Sequence, residues 1–367
     1  MYGFEYREPL CTISPRREIV VPEQEPEDQE RAQEEQGKVI VLPRFGLPFP
    51  SEIHPDADSV IAHASQWAMS TGLVPDEEGV ARLRRGGIMT AGPRLAPRAS
   101  FDTACLVCDW TVWLIVLDDL FDGGELGAQP ELARAAIADV IAAFGGRAPA
   151  PAAARGMTGI CAAAADLGRR FEAQSPSRAW LARFQHDARA HIWSKVSEAE
   201  QRAAAGFLDV QSYVRLRRIT SAAYTYADLA ELAERAAVTG RARESPAWER
   251  VLDAAADVWL GIQDICSCAK EVTAGDGGLN LAAVLARGAG GTVQQGIDDA
   301  YQWVCRRAAD LAAQRARLAA VPPPAGAHGA ADDAVPRYLD ALERLLGGHL
   351  TWNSQDNPRY PQAIPLA

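Results

Sequence analysis

The sequence contains no long hydrophobic run. None of its apolar stretches reaches the roughly 18 residues that a membrane-spanning helix needs. The opening segment, MYGFEYREPL, lacks the basic and apolar regions of a secretory signal peptide. The seven cysteines are an odd number and do not form the disulfide framework of a secreted protein, so we expect free thiols in a cytoplasmic protein.

Positive charge is also scarce. The 367 residues include 37 lysines and arginines against 48 aspartates and glutamates, which gives a formal net charge of −11. This balance argues against a protein that grips nucleic acid or an anionic membrane by its own charge. A polyanion can still bind such a protein if divalent cations stand between the two.

Strand-like alternation long enough for a β-sheet is missing, and so is any repeat of fixed length. From Asp56 to Leu346 apolar residues recur at three- and four-residue spacing, with Gly and Pro at the breaks. No linker-like stretch divides this region. The sequence therefore predicts an all-α protein with one antiparallel helical domain over residues 39–367. Residues 1–38 are rich in Glu, Gln and Pro, which predicts a disordered acidic tail.

One helix is predicted to be buried on every side. Residues 104–117 (ACLVCDWTVWLIVL) are almost entirely apolar and run directly into Asp118, Asp119 and Asp122. On a helix Asp118 and Asp122 share a face, and clustered carboxylates repel one another unless a cation sits among them. Oxygen-only ligands suit Mg²⁺, so DDLFD is a candidate metal site. The alternative is an acidic helix end on the solvated surface.

A second oxygen-rich row follows in QDICSCAKEVTAGDGGLN. Gln263, Ser267 and Glu271 lie four residues apart, which puts amide, hydroxyl and carboxylate oxygens on one helix face. This row is a second candidate metal site, with Lys270 as a possible phosphate partner. The alternative is a polar stripe on a surface helix.

Two basic segments are less informative alone. The arginines of RLRRITSA, residues 215–222, could form a guanidinium fork for a diphosphate or simply a solvated helix face. An Arg-Tyr pair in WNSQDNPRYPQ, residues 352–362, has no chemical meaning by itself.

Together these motifs resemble those of bacterial class I terpene synthases (terpene cyclases), and the resemblance covers most of the chain from about Leu42. DDLFD matches the aspartate-rich motif of that family, and QDICSCAKEVTAGDGGLN its NSE motif. The family places a diphosphate-sensing arginine 46 residues before the first NSE position, and Arg217 lies at that distance from Gln263. Thr220 and Ser221 fall in the neighbouring linker and effector positions.

The C-terminal Arg-Tyr pair of the family follows a tryptophan, as Arg359 and Tyr360 follow Trp352 here. The resemblance implies the class I terpenoid synthase fold, a helical bundle around a central apolar cavity. It also implies that an acyclic prenyl diphosphate ionises there and that the carbocation then cyclises. Farnesyl diphosphate is the favoured substrate, and geranylgeranyl diphosphate, for a diterpene cyclase, is the close alternative. A homodimer is compatible with the family.

The resemblance further implies roles for individual residues. Three Mg²⁺ ions would be held by Asp118, Asp119, Asp122, Gln263, Ser267 and Glu271. The substrate diphosphate would be bound by Arg217, Lys270, Arg359 and Tyr360. The pocket wall would include Trp113, Leu114, Ile115, Ser221, Trp259 and Trp352. No general base stands out in the sequence, and the released diphosphate could serve as one.

One departure from the family pattern bears on the metal site. Gln263 stands where the family has Asn or sometimes Asp, and its extra methylene moves the ligand oxygen by roughly one C–C bond, whereas Mg²⁺ prefers near-ideal octahedral geometry. Two rival functions therefore stay open. A prenyl-chain-elongating transferase normally carries a second aspartate-rich motif, which QDICSCAKE is not, and a non-catalytic helical scaffold would have lost metal binding through Gln263.

Overall fold

Helices account for almost all regular structure in the protein, as the all-α prediction requires. The structure is a computed structural model that describes residues 39–122, 125–147, 157–204, 207–236, 238, 242–273, 279–320, 334–360 and 363–365. The predicted acidic tail, residues 1–38, lies outside these described residues. None of the described helices is both long enough and apolar enough to cross a lipid bilayer.

The helices are, in chain order, α1 (Ala57–Ser70), α2 (Glu77–Arg85), α3 (Ala91–Leu95), α4 (Phe101–Asp122), α5 (Glu125–Ala128), α6 (Pro130–Phe144), α7 (Thr158–Gln174), α8 (Arg178–Ala204), α9 (Val210–Thr220), α10 (Ala223–Ala233), α11 (Pro246–Thr273), α12 (Leu281–Ala289), α13 (Val293–Ala319) and α14 (Ala334–Thr351). A 3₁₀ turn at Ile88–Thr90 precedes α3, and a π-helical turn at Trp352–Asp356 extends α14.

Two short strands are an addition that the sequence did not predict. β1 (Val39–Val41) pairs antiparallel with β2 (Ala363–Pro365), with Ile40 opposite Ile364. Each strand has only three residues, too few to show an alternating pattern in the sequence. The pair joins the segment that leads into the bundle to the segment that follows α14.

Helix α4 forms the centre of the bundle. Every side chain from Thr103 to Leu114 is buried, because α1, α3, α7 and α8 all pack against this helix. Trp110 contacts the rings of Phe171 and Phe184 at centroid distances of 5.5 Å. A Cβ at Gly92 of α3 would lie 2.4 Å from Cys108, so only glycine permits this close helix crossing.

The other helices complete the core around α4. Helix α11 packs on α13, α13 on α12, and α6 on both α7 and α8. Helices α9 and α11 run antiparallel, since Tyr213 bonds to Asp264 while Trp259 bonds back to Ser221. The buried side chains from Ile40 onward form one continuous hydrophobic cluster.

The segment after α14 is tied down on the same side of the bundle. The Trp352 indole N–H donates to Gly87 O at 2.8 Å, and Arg94 Nε donates to an Asp356 carboxylate oxygen at 2.7 Å. Gly87 has φ +65°, and a Cβ there would lie 2.2 Å from Asp356 O. These contacts position the Arg-Tyr pair that follows.

Candidate active site

A cavity opens where α4, α8, α9, α11 and the segment after α14 converge. It encloses about 1080 Å³ of unfilled space, including solvent at its mouth. Most of the residues that the sequence singled out line it, although they come from four separate motifs. The predicted residues that line the cavity are Leu114, Ile115, Asp118, Asp122, Arg217, Ser221, Trp259, Gln263, Lys270, Glu271, Trp352, Arg359 and Tyr360.

The aspartates of DDLFD occupy the last turn of α4. Carboxylates are unfavourable at a helix C-terminus, where the helix dipole is negative, so they need cations nearby. The cations here come from side chains of other elements. The carboxylate of Asp118 accepts a hydrogen bond from the Lys195 ammonium, Asp119 from Arg359 at 2.5 Å, and Asp122 from Arg202 at 3.5 Å.

Lys195 is the most buried of these cations. Its side chain is only 3% exposed, and Nζ also donates to Glu198 at 2.8 Å. Asp118 is 43% accessible, and this surface faces the cavity that it lines. Without metal, Asp118 thus lies against a cation of the protein itself, the buried ammonium group of Lys195.

The two cavity-facing aspartates differ in their pKa. Burial favours neutral Asp118, but the charge and hydrogen bond of Lys195 outweigh it and lower the pKa of Asp118 to about 2. Burial raises the pKa of Asp122 to about 7, and the negative charge of Asp118 adds to this shift. Of these two carboxylates, Asp118 is thus charged at neutral pH, whereas the pKa of Asp122 lies near neutrality.

Helix α11 carries the second oxygen-rich row, as the spacing predicted. Gln263 and Glu271 line the cavity, whereas Ser267 lies behind them and is buried. The Ser267 hydroxyl makes no close hydrogen bond among the described residues, although it lies near enough to Glu271 to help lower the pKa of that carboxyl against the effect of burial. Glu271 Oε2 accepts from Asn280 Nδ2 at 2.8 Å, and burial raises its pKa against the opposing charge of Arg217.

Arg217 is held by a residue next to the predicted row. Its Nε donates to Asp264 Oδ1 at 2.8 Å, and Asp264 is fully buried. The other oxygen of Asp264 accepts from the Tyr213 hydroxyl and from the backbone N–H of Leu281. Asp264 therefore fixes Arg217 at the cavity, a role that requires the three helices α9, α11 and α12 to meet.

A short non-helical turn separates α9 from α10 at the cavity wall. Ser221 ends α9, and Ala222 follows with φ +61°, a left-handed conformation that is uncommon for a residue other than glycine. Both residues line the cavity, and Arg217 Nη1 donates to the Thr220 hydroxyl at 3.3 Å. Strained backbone of this kind often marks a functional site.

The far part of the cavity wall is apolar and aromatic. The rings of Tyr226 and His349 stack on Trp259 at centroid distances of 4.6 Å and 3.5 Å. Leu114, Ile115 and Trp352 complete this wall. The prediction that Trp113 belongs to it is wrong.

Trp113 is fully buried and lies in the core. Its indole N–H donates to Ile160 O at 3.0 Å, and its ring packs against Trp110. The residue follows Val112 in a helix that is buried all round, so proximity to the DDLFD motif along the chain does not bring it to the cavity.

Helix α8 supplies cavity residues that the sequence did not reveal. Three of these side chains line the cavity, namely His191, Glu198 and Arg202. Lys195 lies on the same helix face and is hydrogen-bonded to Asp118. The four positions follow one another at intervals of three or four residues, and no motif marks them.

Two kinds of comparison show the family. The family model described as "Terpene synthase family 2, C-terminal metal binding" matches residues 109–311. The chain is 30% identical to pentalenene synthase of Streptomyces exfoliatus over 328 residues, which cover 88% of this chain and 94% of that protein. The chain belongs to the terpene synthase family.

Further relatives and solved structures agree. A 4-epi-cubebol synthase of Streptosporangium roseum is 27% identical, with 88% of this chain and 93% of that protein covered. The crystal structure of germacradien-4-ol synthase from Streptomyces citricolor superposes with a TM-score of 0.71 at 22% identity, covering 84% of this chain and 97% of that one. This structural likeness supports the fold alone, the class I terpenoid synthase bundle.

This terpene synthase is thus a class I enzyme, a carbon–oxygen lyase that depends on divalent metal. The residues around the cavity fit such a metal, because the donor set is carboxylate, amide and hydroxyl oxygen and because the buried Ser267 hydroxyl makes no close hydrogen bond within the described part of the chain. Among the described residues, however, no three His, Cys, Asp or Glu side chains already form a metal-binding cluster. The candidate ligands Asp118 and Asp122 of α4 and Gln263 and Glu271 of α11 line a common cavity.

Proposed function

We propose that this terpene synthase uses Mg²⁺ to ionise farnesyl diphosphate and cyclises the resulting carbocation to a sesquiterpene. One observation carries the proposal. The acidic residues and the cationic residues of four separate motifs converge at one end of a cavity whose other end is apolar. The name of the related 4-epi-cubebol synthase states that it cyclises (2E,6E)-farnesyl diphosphate, which favours the C15 substrate.

The polar end of the cavity would hold the diphosphate. Mg²⁺ ions, three in our proposal, would bind Asp118, Asp119, Asp122, Gln263, Ser267 and Glu271 and neutralise the charge of the leaving group. Arg217 is aligned by Asp264 and would hydrogen-bond the diphosphate, together with Lys270 and Arg359. Burial raises the pKa of Tyr360, so its hydroxyl keeps its proton and can donate as well.

These residues favour breakage of the allylic C–O bond, because negative charge develops on the diphosphate oxygen as the bond breaks. Donors fixed in place before the reaction stabilise that charge without reorganising. The electron pair of the broken bond leaves with the diphosphate, and the hydrocarbon part becomes an allylic cation.

The apolar end of the cavity would fold the cation. Leu114, Ile115 and Trp352 provide shape and exclude water, which would otherwise capture the cation early. The face of Trp259 can stabilise passing positive charge by a cation–π contact worth about 0.5–2 kcal/mol.

The test is to incubate the protein with C10, C15 and C20 prenyl diphosphates and Mg²⁺. Diphosphate release and the extracted products are measured together, by a coupled assay and by gas chromatography–mass spectrometry. We expect a cyclic C15 product from farnesyl diphosphate and no turnover in EDTA. A parallel reaction with added isopentenyl diphosphate tests chain elongation.

The other outcomes are distinct. Preference for geranylgeranyl diphosphate would make the protein a diterpene cyclase. A longer linear product with isopentenyl diphosphate would make it an elongating transferase. Absence of metal-dependent diphosphate release from every substrate would contradict the proposal.

A further inference from the structure

Helix α8 runs alongside α4 in the same direction. Phe184 lies beside Trp110, Lys195 binds Asp118, and Arg202 lies 3.5 Å from a carboxylate oxygen of Asp122. The two helices therefore run parallel, and each position on α8 can be matched to a position on α4, from the core to the polar end of the cavity.

By this matching, His191 lies farther toward the core than the carboxylates of Asp118 and Asp122. It precedes Lys195 by four residues, which is about 6 Å along a helix. It therefore lies near the level of Leu114 and Ile115, where the proposed site holds hydrocarbon rather than diphosphate. His191 lines the cavity although its residue surface is only 6% exposed.

The hydrogen bond of His191 fixes its tautomer. Nδ1 lies 3.0 Å from Ile219 O, and a carbonyl oxygen can only accept, so Nδ1 carries the proton. Nε2 is left with its lone pair, and no described residue donates to it. Burial and the nearby Lys195 charge lower the pKa of His191 to about 4, so the ring is neutral in the resting protein.

The second imidazole of the cavity, His349, differs in this respect. Its Nε2 lies 3.1 Å from Trp259 O, and its Nδ1 lies 3.1 Å from Asn353 Nδ2. Both ring nitrogens are therefore engaged, and the ring stacks on Trp259. Two buried neutral histidines line one cavity, but only His191 offers an uncommitted acceptor nitrogen.

We propose that Nε2 of His191 accepts the proton that leaves the last carbocation of the reaction. The inference rests on the proposed cyclase function. In this step the C–H bond next to the cationic carbon breaks, its electron pair forms a C=C bond, and the proton bonds to the Nε2 lone pair. The imidazolium then gives its proton to an oxygen of the departing diphosphate, which restores neutral His191.

The test compares His191→Ala with the matched variant His349→Ala. Each removes one neutral imidazole from the same cavity. Diphosphate release reports ionisation, and gas chromatography–mass spectrometry reports how the cation ends. For His191→Ala we expect the yield of the main wild-type hydrocarbon per diphosphate released to fall about 10-fold, with alcohols or isomeric alkenes in its place. For His349→Ala we expect a smaller change in this ratio.

Chemical rescue separates basicity from shape. Added imidazole should restore the main product of His191→Ala, whereas pyrazole, which has the same shape and is a much weaker base, should not. In His349→Ala the two additives should act alike. Melting temperatures of both variants report any loss of folding.

Four results would overturn the inference. One is an unchanged product ratio in His191→Ala, which would leave the diphosphate as the base. Another is equal rescue by imidazole and pyrazole, which would indicate a role in shape only. A wild-type product that is an alcohol would mean that no C–H proton leaves. An equal fall in hydrocarbon yield per diphosphate released in His349→Ala would mean that the free nitrogen of His191 has no special role. If the wild-type protein releases no diphosphate, it is the proposed function that fails.

Discussion

The two oxygen-rich faces of the cavity neutralise their charge in different ways. On α4 each aspartate of the DDLFD motif lies against a basic side chain from another element, such as Lys195 for Asp118 and Arg359 for Asp119. On α11 the Ser267 hydroxyl is buried without a close hydrogen bond among the described residues, and Glu271 accepts a hydrogen bond from a neutral amide.

This difference shows how the protein stays folded before metal binds. Clustered carboxylates on one helix end would repel one another, and internal cations remove that cost. On the α11 face the Glu271 carboxylate accepts from the neutral Asn280 amide and lies near the charge of Arg217, so an incoming cation would supply charge that this hydrogen bond does not. We infer that protein side chains already neutralise the carboxylates of the α4 face, whereas the carboxylate of the α11 face is bonded to a neutral amide.

The largest expected effect comes from the α4 face. Asp118→Asn should reduce turnover by roughly 100-fold or more, because a charged ligand of the proposed metal site is lost. It should also lower stability, since Lys195 keeps only Glu198 as a charged acceptor among the partners described here; leaving part of a buried charge unmatched costs about 1–3 kcal/mol. Steady-state diphosphate release and thermal unfolding followed by circular dichroism check both effects.

Wild-type activity in Asp118→Asn would remove this residue from the metal site. A loss of activity without any loss of stability would show that the Lys195 contact contributes nothing to folding.

The next effect concerns the α11 face. Gln263→Leu should lose turnover by roughly 10-fold or more, because the amide oxygen disappears while the volume is kept. Gln263→Asn should retain or raise activity, since it brings the shorter amide of the family pattern. Mg²⁺ titrations of activity in the three proteins make the comparison.

Identical titration curves for the wild type and Gln263→Leu would exclude Gln263 as a ligand. An impaired Gln263→Asn variant beside an active wild type would instead show that the backbone has adapted to the longer side chain.

A variant of Lys195 tests whether this cation competes with metal at the α4 face in the substrate-free protein. Lys195→Met removes the ammonium beside Asp118 and should tighten Mn²⁺ binding to the substrate-free protein about 10-fold, as expected when a competing cation is removed. Electron paramagnetic resonance of free Mn²⁺ measures the affinity directly. Arg183→Met is the matched control, because Arg183 lies on the same helix and pairs with Glu231 away from the cavity.

Equal Mn²⁺ affinities in the wild type and both variants would mean that Lys195 does not compete with the metal. Tightening in Arg183→Met as well would point to the net charge of the protein rather than to this contact.

The smallest effect is a pH dependence of the metal-free protein. The pKa of Asp122 is raised to about 7, so the folded state holds a proton that the unfolded chain releases near its ordinary value of 3.8. This contribution to stability is complete below about pH 4 and is lost as the pH rises through 7. Asp122→Asn cannot titrate, so its melting temperature should fall less between pH 4 and 7.

A parallel pH dependence in the wild type and Asp122→Asn would contradict the raised pKa. Because Asp122 is partly open to solvent, we expect a shift of only a few degrees.

The sequence singled out the candidate metal and diphosphate residues because their motifs are local, and most of these residues line one cavity. Gln263, Ser267 and Glu271 share a helix face by spacing alone. Lys195 could not be found in this way, because it meets Asp118 across 77 residues and no motif marks it. Such pairings depend on how whole helices pack.

Trp113 illustrates the opposite error. Its place near DDLFD suggested the pocket, but a helix that is buried all round has no face that the sequence marks as the cavity side. The three-residue strands were missed for a different reason, since so short a segment carries no period.

The β1–β2 pair gives the protein a weak point under mechanical load. Val39 at the start of β1 faces Pro365 at the end of β2. A force that pulls these two points apart therefore loads the hydrogen bonds of the ladder one after another, as a zipper opens, rather than all together in shear. Once the pair has opened, the pull on the β2 side passes to the anchors of the C-terminal segment, including the ion pair between Arg359 and Asp119. Tension on these two strands would thus reach the polar end of the cavity before it reaches the core around α4.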